Sequence, residues 1–395
     1  MHNISKDEIS YPLRSIYFYP TESCNLRCIH CWLRPSFTTN EKAYQVQNQE
    51  NISAEIMKQV VKDALPLGLS FIKFTGGEPF LNPDIFEYLD RFSQYDLQFG
   101  FETNGTLLTK KMVKRLKRYN ITLFGVSLDG SVSHIHERIR GVKGSFERTL
   151  NGIQLLIENR IYPQIIFCLQ KINANDLENT LRLAYELKVK SFEINPLILL
   201  GGESLRNQGC EALPLEELLA LERRIEGEFA SLYPDMHIDL YLPPALKGIK
   251  DISKHSLCKC NILNICGILS NGDVSICGIG KRKKSLIMGN VKEKGIAAIW
   301  KEGELFKEIR KKIPLQMNGI CGRCLFKYQC LGFCRAETLF NDQSLTDPYK
   351  ICDEVFQKGL FPESRILGER EASLILQSEN EGVHDVRFEK EKKGV

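Results

Sequence analysis

The chain has 395 residues, of which 43% are hydrophobic and 26% are charged, as expected of a globular protein with two or three domains. Its 53 Lys and Arg against 49 Asp and Glu leave a net charge of +4, which is too small for a protein that coats nucleic acid. No apolar run approaches the roughly 20 residues that cross a bilayer, and the polar N-terminus shows no signal-peptide pattern. We therefore expect a cytoplasmic protein that binds neither nucleic acid nor membrane.

Between residues 14 and 196, short β-branched or aromatic runs alternate with longer amphipathic runs. The short runs predict six strands: Ser15–Tyr19, Phe71–Thr75, Gln98–Glu102, Thr122–Ser127, Gln164–Gln170 and Ser191–Asn195. The amphipathic runs predict helices at Ser53–Ala64, Pro83–Phe92, Thr109–Tyr119, Ser145–Asn159, Asn175–Leu187 and Leu213–Phe229. This alternation predicts an α/β fold, a partial (β/α)6 TIM-like barrel with a parallel sheet, whose functional loops follow the carboxyl ends of the strands.

The predicted domain organisation has five parts. A short N-terminal extension (1–13) precedes the partial barrel (14–240), and a linker (241–257) leads to a small, loop-rich, cysteine-rich domain (258–361). A charged helix and tail (362–395) ends the chain.

The chain contains 14 cysteines, about twice the number expected by chance. In a reducing compartment this excess favours metal or redox chemistry over disulfides. Three of the cysteines form one group, Cys24, Cys28 and Cys31, and nine fall between Cys258 and Cys352. Two metal-binding regions are therefore expected on either side of a cysteine-poor middle.

The front group, CxxxCxxC, directly follows the first predicted strand. Three thiolates on one short loop can each bind one iron of a cubane cluster and leave the fourth iron without a protein ligand. A zinc site that includes His30, or reduced core cysteines, would be the simpler explanations. From spacing alone these alternatives stay open.

The surrounding residues resemble the radical S-adenosylmethionine (SAM) superfamily. In addition to CxxxCxxC, the second strand ends in Gly76-Gly-Glu-Pro79, at the place of the GGEP motif in that family. The resemblance implies that Cys24, Cys28 and Cys31 hold a catalytic [4Fe-4S] cluster whose open iron binds SAM. One electron then cleaves SAM, and the 5'-deoxyadenosyl radical takes a hydrogen atom from the substrate.

The same resemblance implies a set of cofactor contacts at the strand ends. The methionine part of SAM would lie against the second strand end, the ribose and carboxylate against the third and fourth strand ends and a following arginine, and the adenine near the sixth. The residues implied are Thr75, Gly76, Gly77, Glu78, Pro79, Thr103, Asn104, Ser127, Asp129, Arg140, Asn195 and Leu197. For each, the alternative is a loop cap or a surface pair.

The rear cysteines form the array CxxCx5CxxxC, which one further cysteine follows. An earlier segment has the pattern CxnGx4C, in which the glycine is Gly272. This order resembles the SPASM domain that follows the barrel in many radical SAM enzymes. It implies two auxiliary [4Fe-4S] clusters, one on Cys321, Cys324, Cys330 and Cys352, the other on Cys260, Cys266, Cys277 and Cys334. Cys258 is an alternative to Cys260. The turn sequence Ser270-Asn-Gly-Asp273 predicts a two-stranded segment that presents Cys266 and Cys277.

The resemblance favours a peptide maturase that crosslinks, oxidises or epimerises a residue of a ribosomally made precursor. The implied partners are that precursor and a flavodoxin or ferredoxin-type electron donor. The leader of the precursor would be bound either by a separate leader-binding protein or by the barrel surface itself. Gly278 stands where sulfatase maturases of this family carry an acidic residue, which argues against that subgroup. The alternatives are a haem or other small-molecule maturase, and a non-catalytic iron–sulfur or zinc redox protein. The basic run Lys281-Arg-Lys-Lys284 is either a contact for an acidic leader or a solvated turn.

Overall fold

A computed structural model describes residues 11–38, 40, 44–45, 48, 50–198, 200, 209–248 and 260–368. All six predicted strands are present within one residue or two of their expected ends. The main sheet has ten strands: β1 Ser15–Phe18, β4 Phe71–Phe74, β5 Gln98–Thr103, β6 Ile121–Ser127, β7 Gln164–Leu169, β8 Ser191–Pro196, β9 His237–Leu240, β10 Ile265–Ile268, β11 Asp273–Ser275 and β12 Ile287–Asn290. Their order across the sheet is β12-β11-β10-β1-β4-β5-β6-β7-β8-β9. Two short strands, β2 Ser23–Cys24 and β3 Ser36–Phe37, pair separately.

Strands β1 and β4 to β9 are parallel to their neighbours and follow one another in chain order, as expected for successive β/α units. The prediction of six barrel strands was one short, because β9 adds a seventh beside β8. The rear segment also joins the sheet, since β10 pairs in parallel with β1 and then forms an antiparallel hairpin with β11. The predicted two-stranded segment is thus present, as part of the main sheet.

The helices of the first part of the chain follow the predicted amphipathic runs. Ser53 and Thr109 cap two of them, their hydroxyls accepting from Ile56 and Met112 N–H. The helices are Ala54–Ala64, Ile85–Phe92, Lys110–Leu116, Ser133–Arg140, Ser145–Glu158, Leu177–Glu186 and Leu215–Arg224, the last continuing through a π-helical turn Ile225–Phe229 to Ala230–Leu232. The helix Ser133–Arg140 is absent from the prediction.

The rear part is more helical than predicted. Apolar residues at helical spacing, including Ile299, Trp300 and Phe306, are buried there. The helices are Ile296–Glu302, Glu304–Lys312, Gly319–Arg323, Lys327–Cys330, Arg335–Phe340 and Lys350–Gln357. The loop-rich prediction therefore holds only for the connections, and residues 369–395 of the predicted tail lie outside the described part. Within the part that the structure describes, no helix is long and apolar enough to cross a bilayer.

The two faces of the sheet differ in character. On one face Phe18 packs edge-on against Phe74 and against Tyr88 of a flanking helix, and Phe74 stacks on Phe92 of the same helix, as part of the main core. The opposite face, called the inner face below, carries the alternate residues of the same strands, such as Tyr17 and Lys73. Those residues are only half-buried.

Candidate active site

The front cysteines lie on the loop after β1, at the carboxyl ends of the strands. Cys24 is buried, and Cys28 O accepts from Cys31 N–H (3.1 Å), which closes the loop. Burial raises the pKa of Cys24, and the neighbouring Glu78 carboxylate, Cys28 and Cys31 raise it further. The three thiols and Glu78 are thus gathered in one place.

Glu78 joins the carboxyl ends of β4 and β5. Its Oε1 accepts from Thr103 Oγ1 (2.7 Å) and Phe80 N–H (3.2 Å), and its Oε2 accepts from Asn104 N–H (2.8 Å). Burial raises the pKa of Glu78 to about 7. The carboxylate expected to receive the cofactor amine therefore also holds the Thr103-Asn104 turn in place.

Gly77 fits tightly against the front loop. A Cβ at this position would lie 2.0 Å from Ser23 O, immediately before Cys24. A side chain here would push the cysteine loop off the strand end, so the GGEP glycine is required for packing whatever ligand it meets.

Asp129 and Arg140 form a buried ion pair next to the cysteines. Arg140 Nε lies 2.8 Å from Asp129 Oδ2, with side chains 8% and 0% exposed, and Arg140 Nη1 donates to Cys28 Sγ (3.6 Å). Asp129 Oδ1 accepts from Cys168 N–H (2.8 Å) and Asp129 N–H donates to His136 Nδ1 (3.3 Å). The pair therefore connects the carboxyl ends of β6 and β7 to the front cysteines.

The remaining predicted cofactor residues lie along the same edge of the sheet. Thr75 Oγ1 donates to Glu102 (2.8 Å), and Ser127 ends β6. Asn195 of β8 pairs in register with Cys168 of β7, and Leu197 packs in a small apolar cluster that also includes Ile29 and Cys210. The structure thus brings the predicted positions to one edge, as parallel strands require.

The inner face carries a charged pair that the prediction did not include. Lys73 Nζ lies 2.7 Å from Glu102 Oε1 and 3.9 Å from the centre of the Tyr17 ring. Burial, opposed by the Lys73 charge, raises the pKa of Tyr17 to about 12, and Cys260 and Cys277 contribute to this shift. The charged pair therefore lies between the front site and the rear cysteines Cys260 and Cys277.

Four rear cysteines converge as the SPASM resemblance implies. A hydrogen bond with Cys321, then burial, then the thiols of Cys330 and Cys324 raise the pKa of Cys352. One pocket is lined by all four thiols together with Ile320, Phe326 and Phe361. Four thiols that converge on one pocket fit the ligand set of a cubane cluster.

The other rear set converges only in part. Burial raises the pKa of Cys334 to about 12 with Cys260 contributing, and that of Cys277 to about 12 with Cys334 contributing. A Cβ at Gly267 would lie 2.7 Å from Cys277 Cα, so the Cys277 backbone lies over β10 on the inner face.

Cys266 does not join that group. It neighbours Gly267 in β10 and pairs in register with Ile16, which is buried in the helix-facing core. Neighbouring strand residues point to opposite faces, and burial alone raises the pKa of Cys266. The structure thus places Cys266 away from Cys260, Cys277 and Cys334, and Cys258 lies outside the described residues.

The basic run after Cys277 joins the two cysteine regions. Lys281 Nζ lies 3.1 Å from Glu22 Oε2, Arg282 Nη1 donates to Trp32 O (2.8 Å), and Lys283 Nζ donates to Leu339 O (2.6 Å). The Lys281 and Arg282 contacts hold the rear loop against the front cysteine loop, and the Lys283 contact ties it to the rear helix Arg335–Phe340.

In the described ranges, no three Cys, His, Asp or Glu side chains converge tightly enough to hold a single metal ion. Cubane ligands need not do so, since each thiolate binds a different iron. His30 contacts Gln170 Nε2 through Nδ1 (3.3 Å).

The comparison with protein families agrees with this geometry. The model of the radical SAM superfamily matches residues 18–184, and that of SPASM, an iron–sulfur cluster-binding domain, matches residues 258–325. The chain is a radical SAM enzyme with a SPASM domain. The family accounts for the parallel sheet, and it implies SAM and iron–sulfur clusters as cofactors.

Relatives of this radical SAM/SPASM chain include synthases and maturases. An AdoMet-dependent heme synthase of Methanosarcina barkeri is 28% identical over 334 residues, covering 82% of this chain and 91% of the relative. The mycofactocin maturase MftC of Mycobacterium tuberculosis is 25% identical over 344 residues, covering 84% and 81%. The crystal structure of Streptococcus suis SuiB bound to precursor peptide SuiA has a TM-score of 0.67 at 18% identity, covering 87% and 76%. This last likeness shows the shared fold.

Sequence reasoning missed three residues of this site: His136, Lys73 and Glu102 as a partner of Lys73. His136 is fully buried, and burial followed by the Arg140 charge lowers its pKa to about 3. Lys73 could have been found in the sequence, because it is a charged residue inside a predicted buried strand. For His136 the only indication in the sequence was its i, i+4 spacing to Arg140.

Proposed function

We propose that this radical SAM/SPASM enzyme is a peptide maturase that takes a hydrogen atom from a residue of a ribosomally made precursor and so crosslinks, oxidises or epimerises it. The observation that carries the proposal is the polar inner face between the two cysteine regions. Lys73 and Glu102 form its centre, and Gln164 Nε2 donates to Glu193 Oε2 (3.2 Å) further along. Ionic and amide groups in a half-open site suit the backbone and polar side chains of a peptide.

The family relationship supports this assignment. A maturase is among the relatives, and a solved structure of the same fold holds a precursor peptide. When bound, the front cluster and SAM supply a one-electron cleavage that yields the 5'-deoxyadenosyl radical. Cys24, Cys28 and Cys31 would hold the cluster, while Glu78, Asp129 and Arg140 would orient the cofactor through the contacts described above.

We assign one auxiliary cluster to Cys321, Cys324, Cys330 and Cys352, and a second to Cys260, Cys277 and Cys334 with a fourth ligand outside this group. Three cubanes give about twelve irons per chain, and removing the front cysteines should leave about eight. Iron counting after anaerobic reconstitution measures both values. Four irons in the parent protein would contradict the three-cluster assignment.

The decisive experiment co-expresses the enzyme anaerobically with a short precursor peptide chosen from the open reading frames next to its gene. We expect a loss of two hydrogens for crosslinking or oxidation, or deuterium uptake without another mass change for epimerisation. The Cys24→Ala variant is the control and should leave the peptide unmodified. An unmodified peptide with the wild-type enzyme, under conditions where 5'-deoxyadenosine forms, would contradict the proposal.

A haem synthase is the second candidate, favoured by the relative that this chain matches over 91% of its length. The test adds an iron–tetrapyrrole precursor to the reconstituted enzyme and follows haem by absorption and mass. Haem formation without peptide modification would replace the first proposal.

The partners of the proposed reaction are the precursor, a separate leader-binding protein and a flavodoxin or ferredoxin-type electron donor. The basic run gives no support to a leader contact, because Lys281, Arg282 and Lys283 already bind other parts of the chain. Pull-down of the precursor with and without candidate leader-binding proteins tests this arrangement.

A further inference from the structure

Arg335 is the largest side chain that the fold buries almost completely, at 1% exposure. It directly follows Cys334 and begins the helix Arg335–Phe340. Among the residues that the structure describes, no carboxylate lies within ion-pair distance of its guanidinium. A buried cation without an anionic partner is costly, so the fold must compensate for this charge in another way.

Backbone carbonyls provide part of that compensation. Arg335 Nη1 donates to Asp347 O (2.6 Å) and Leu345 O (3.1 Å), and Nη2 donates to Gly332 O. The Nε atom has no hydrogen-bond partner. These contacts tie the Cys330–Cys334 loop to the segment before the helix of Cys352, but neutral carbonyls leave the positive charge in place.

The groups near Arg335 that can carry negative charge are cysteine thiols, the Tyr349 hydroxyl and the buried Glu337 carboxylate, on which the Arg335 charge also acts. Cys321, Cys330 and Cys334 lie close enough to interact electrostatically with Arg335. The first two belong to one proposed auxiliary set and the third to the other. Three or four thiolates outweigh the 2+ charge of an oxidised iron–sulfur core, so each ligated cluster is an anion that becomes more negative on reduction.

We propose that Arg335 is the counter-cation shared by the two auxiliary clusters, and that it raises their reduction potentials. Cluster potentials depend on nearby charge and on burial, and a cation at a buried site favours the reduced, more anionic state. Arg335 acts here as a positioning residue through the clusters, without contacting substrate. The inference rests on the auxiliary ligand sets proposed above.

The test compares Arg335→Gln, which removes the charge, with Arg335→Lys, which keeps it. Both are made in a chain with Cys24, Cys28 and Cys31 replaced by alanine, so that only auxiliary clusters report. Each protein is reconstituted, its iron counted, and its clusters titrated anaerobically by electron paramagnetic resonance. At a fixed potential we expect Arg335→Gln to lower the reduced-to-oxidised ratio about tenfold or more, equivalent to about 59 mV for one electron.

Arg335→Lys should stay close to the parent. Arg310→Gln is the matched control, because Arg310 is a half-buried arginine of the same region that donates to Trp300 O (2.7 Å). Loss of iron in Arg335→Gln alone, with iron kept in Arg335→Lys, would also support a charge role.

Two results would overturn the inference. One is an unchanged potential in Arg335→Gln with its iron retained. The other is equal loss of iron in both Arg335 variants, which would make the residue a clamp between loops. A parent protein without auxiliary iron would instead overturn the ligand assignment on which the inference rests.

Discussion

The buried ion pair between Asp129 and Arg140 gives the sharpest stability prediction. Asp129→Asn keeps the shape of the side chain but leaves the Arg140 charge, 8% exposed, without its partner. Removing one partner of a buried pair costs about 3–5 kcal/mol. At about 2–4 °C per kcal/mol for a domain of 150–250 residues, the unfolding midpoint should fall by at least about 6 °C.

The measurement is thermal unfolding of the reconstituted protein under anaerobic conditions. Glu211→Gln is the control, because the Lys171–Glu211 pair has side chains 54% and 62% exposed and is worth at most about 1 kcal/mol. The double variant Asp129→Asn/Arg140→Gln should lose less than the sum of its single variants, because neither charge is then left alone. Equal shifts in Asp129→Asn and Glu211→Gln, or strictly additive single effects, would refute the reasoning.

Two further predictions concern Glu78 and Gly267. Burial raises the pKa of Glu78 to about 7 from 4.5, so in the cofactor-free chain its contribution to stability is fully present below about pH 4.5 and is lost as the pH rises through 7. The thermal unfolding midpoint of the wild type, measured relative to that of Glu78→Gln, should therefore fall between pH 5 and pH 8. A difference that does not change with pH would contradict this. Gly267→Ala should remove about four irons by displacing Cys277, whereas Gly227→Ala, with open space around it, should keep all of them; equal iron contents would count against the close approach.

Part of the fold was predictable because the barrel strands are continuous β-branched or aromatic runs. β9 was missed because its four residues, His-Ile-Asp-Leu, include Asp239, which is buried beside Lys247. The helix Ser133–Arg140 was missed because two of its three buried residues, His136 and Arg140, are polar, so no apolar stripe marks it. Buried polar groups therefore hide these elements from a hydrophobic pattern.

The site was predictable to the extent that the spacing of cysteines in the sequence reflects their position in space. Spacing grouped Cys321, Cys324, Cys330 and Cys352, and the structure brings all four to one pocket because they lie on short helices and turns around it. For Cys266 it was not enough. Which face of β10 a residue occupies depends on its register with β1, and a shift of one residue exchanges the faces.

The strand order explains why the inner face lies between the two cysteine regions. β1 pairs with β10 on one side and with β4 on the other, so Gly267, Tyr17 and Lys73 stand in register across three strands. Cys277 lies over the first of these residues, and Lys73 reaches Glu102, which precedes the turn that Glu78 holds beside Cys24. Because the rear segment adds its strand in parallel to β1, a substrate on this row would lie between Cys277 at one end and the front site at the other. A SPASM domain joined only through a flexible linker would not fix that distance.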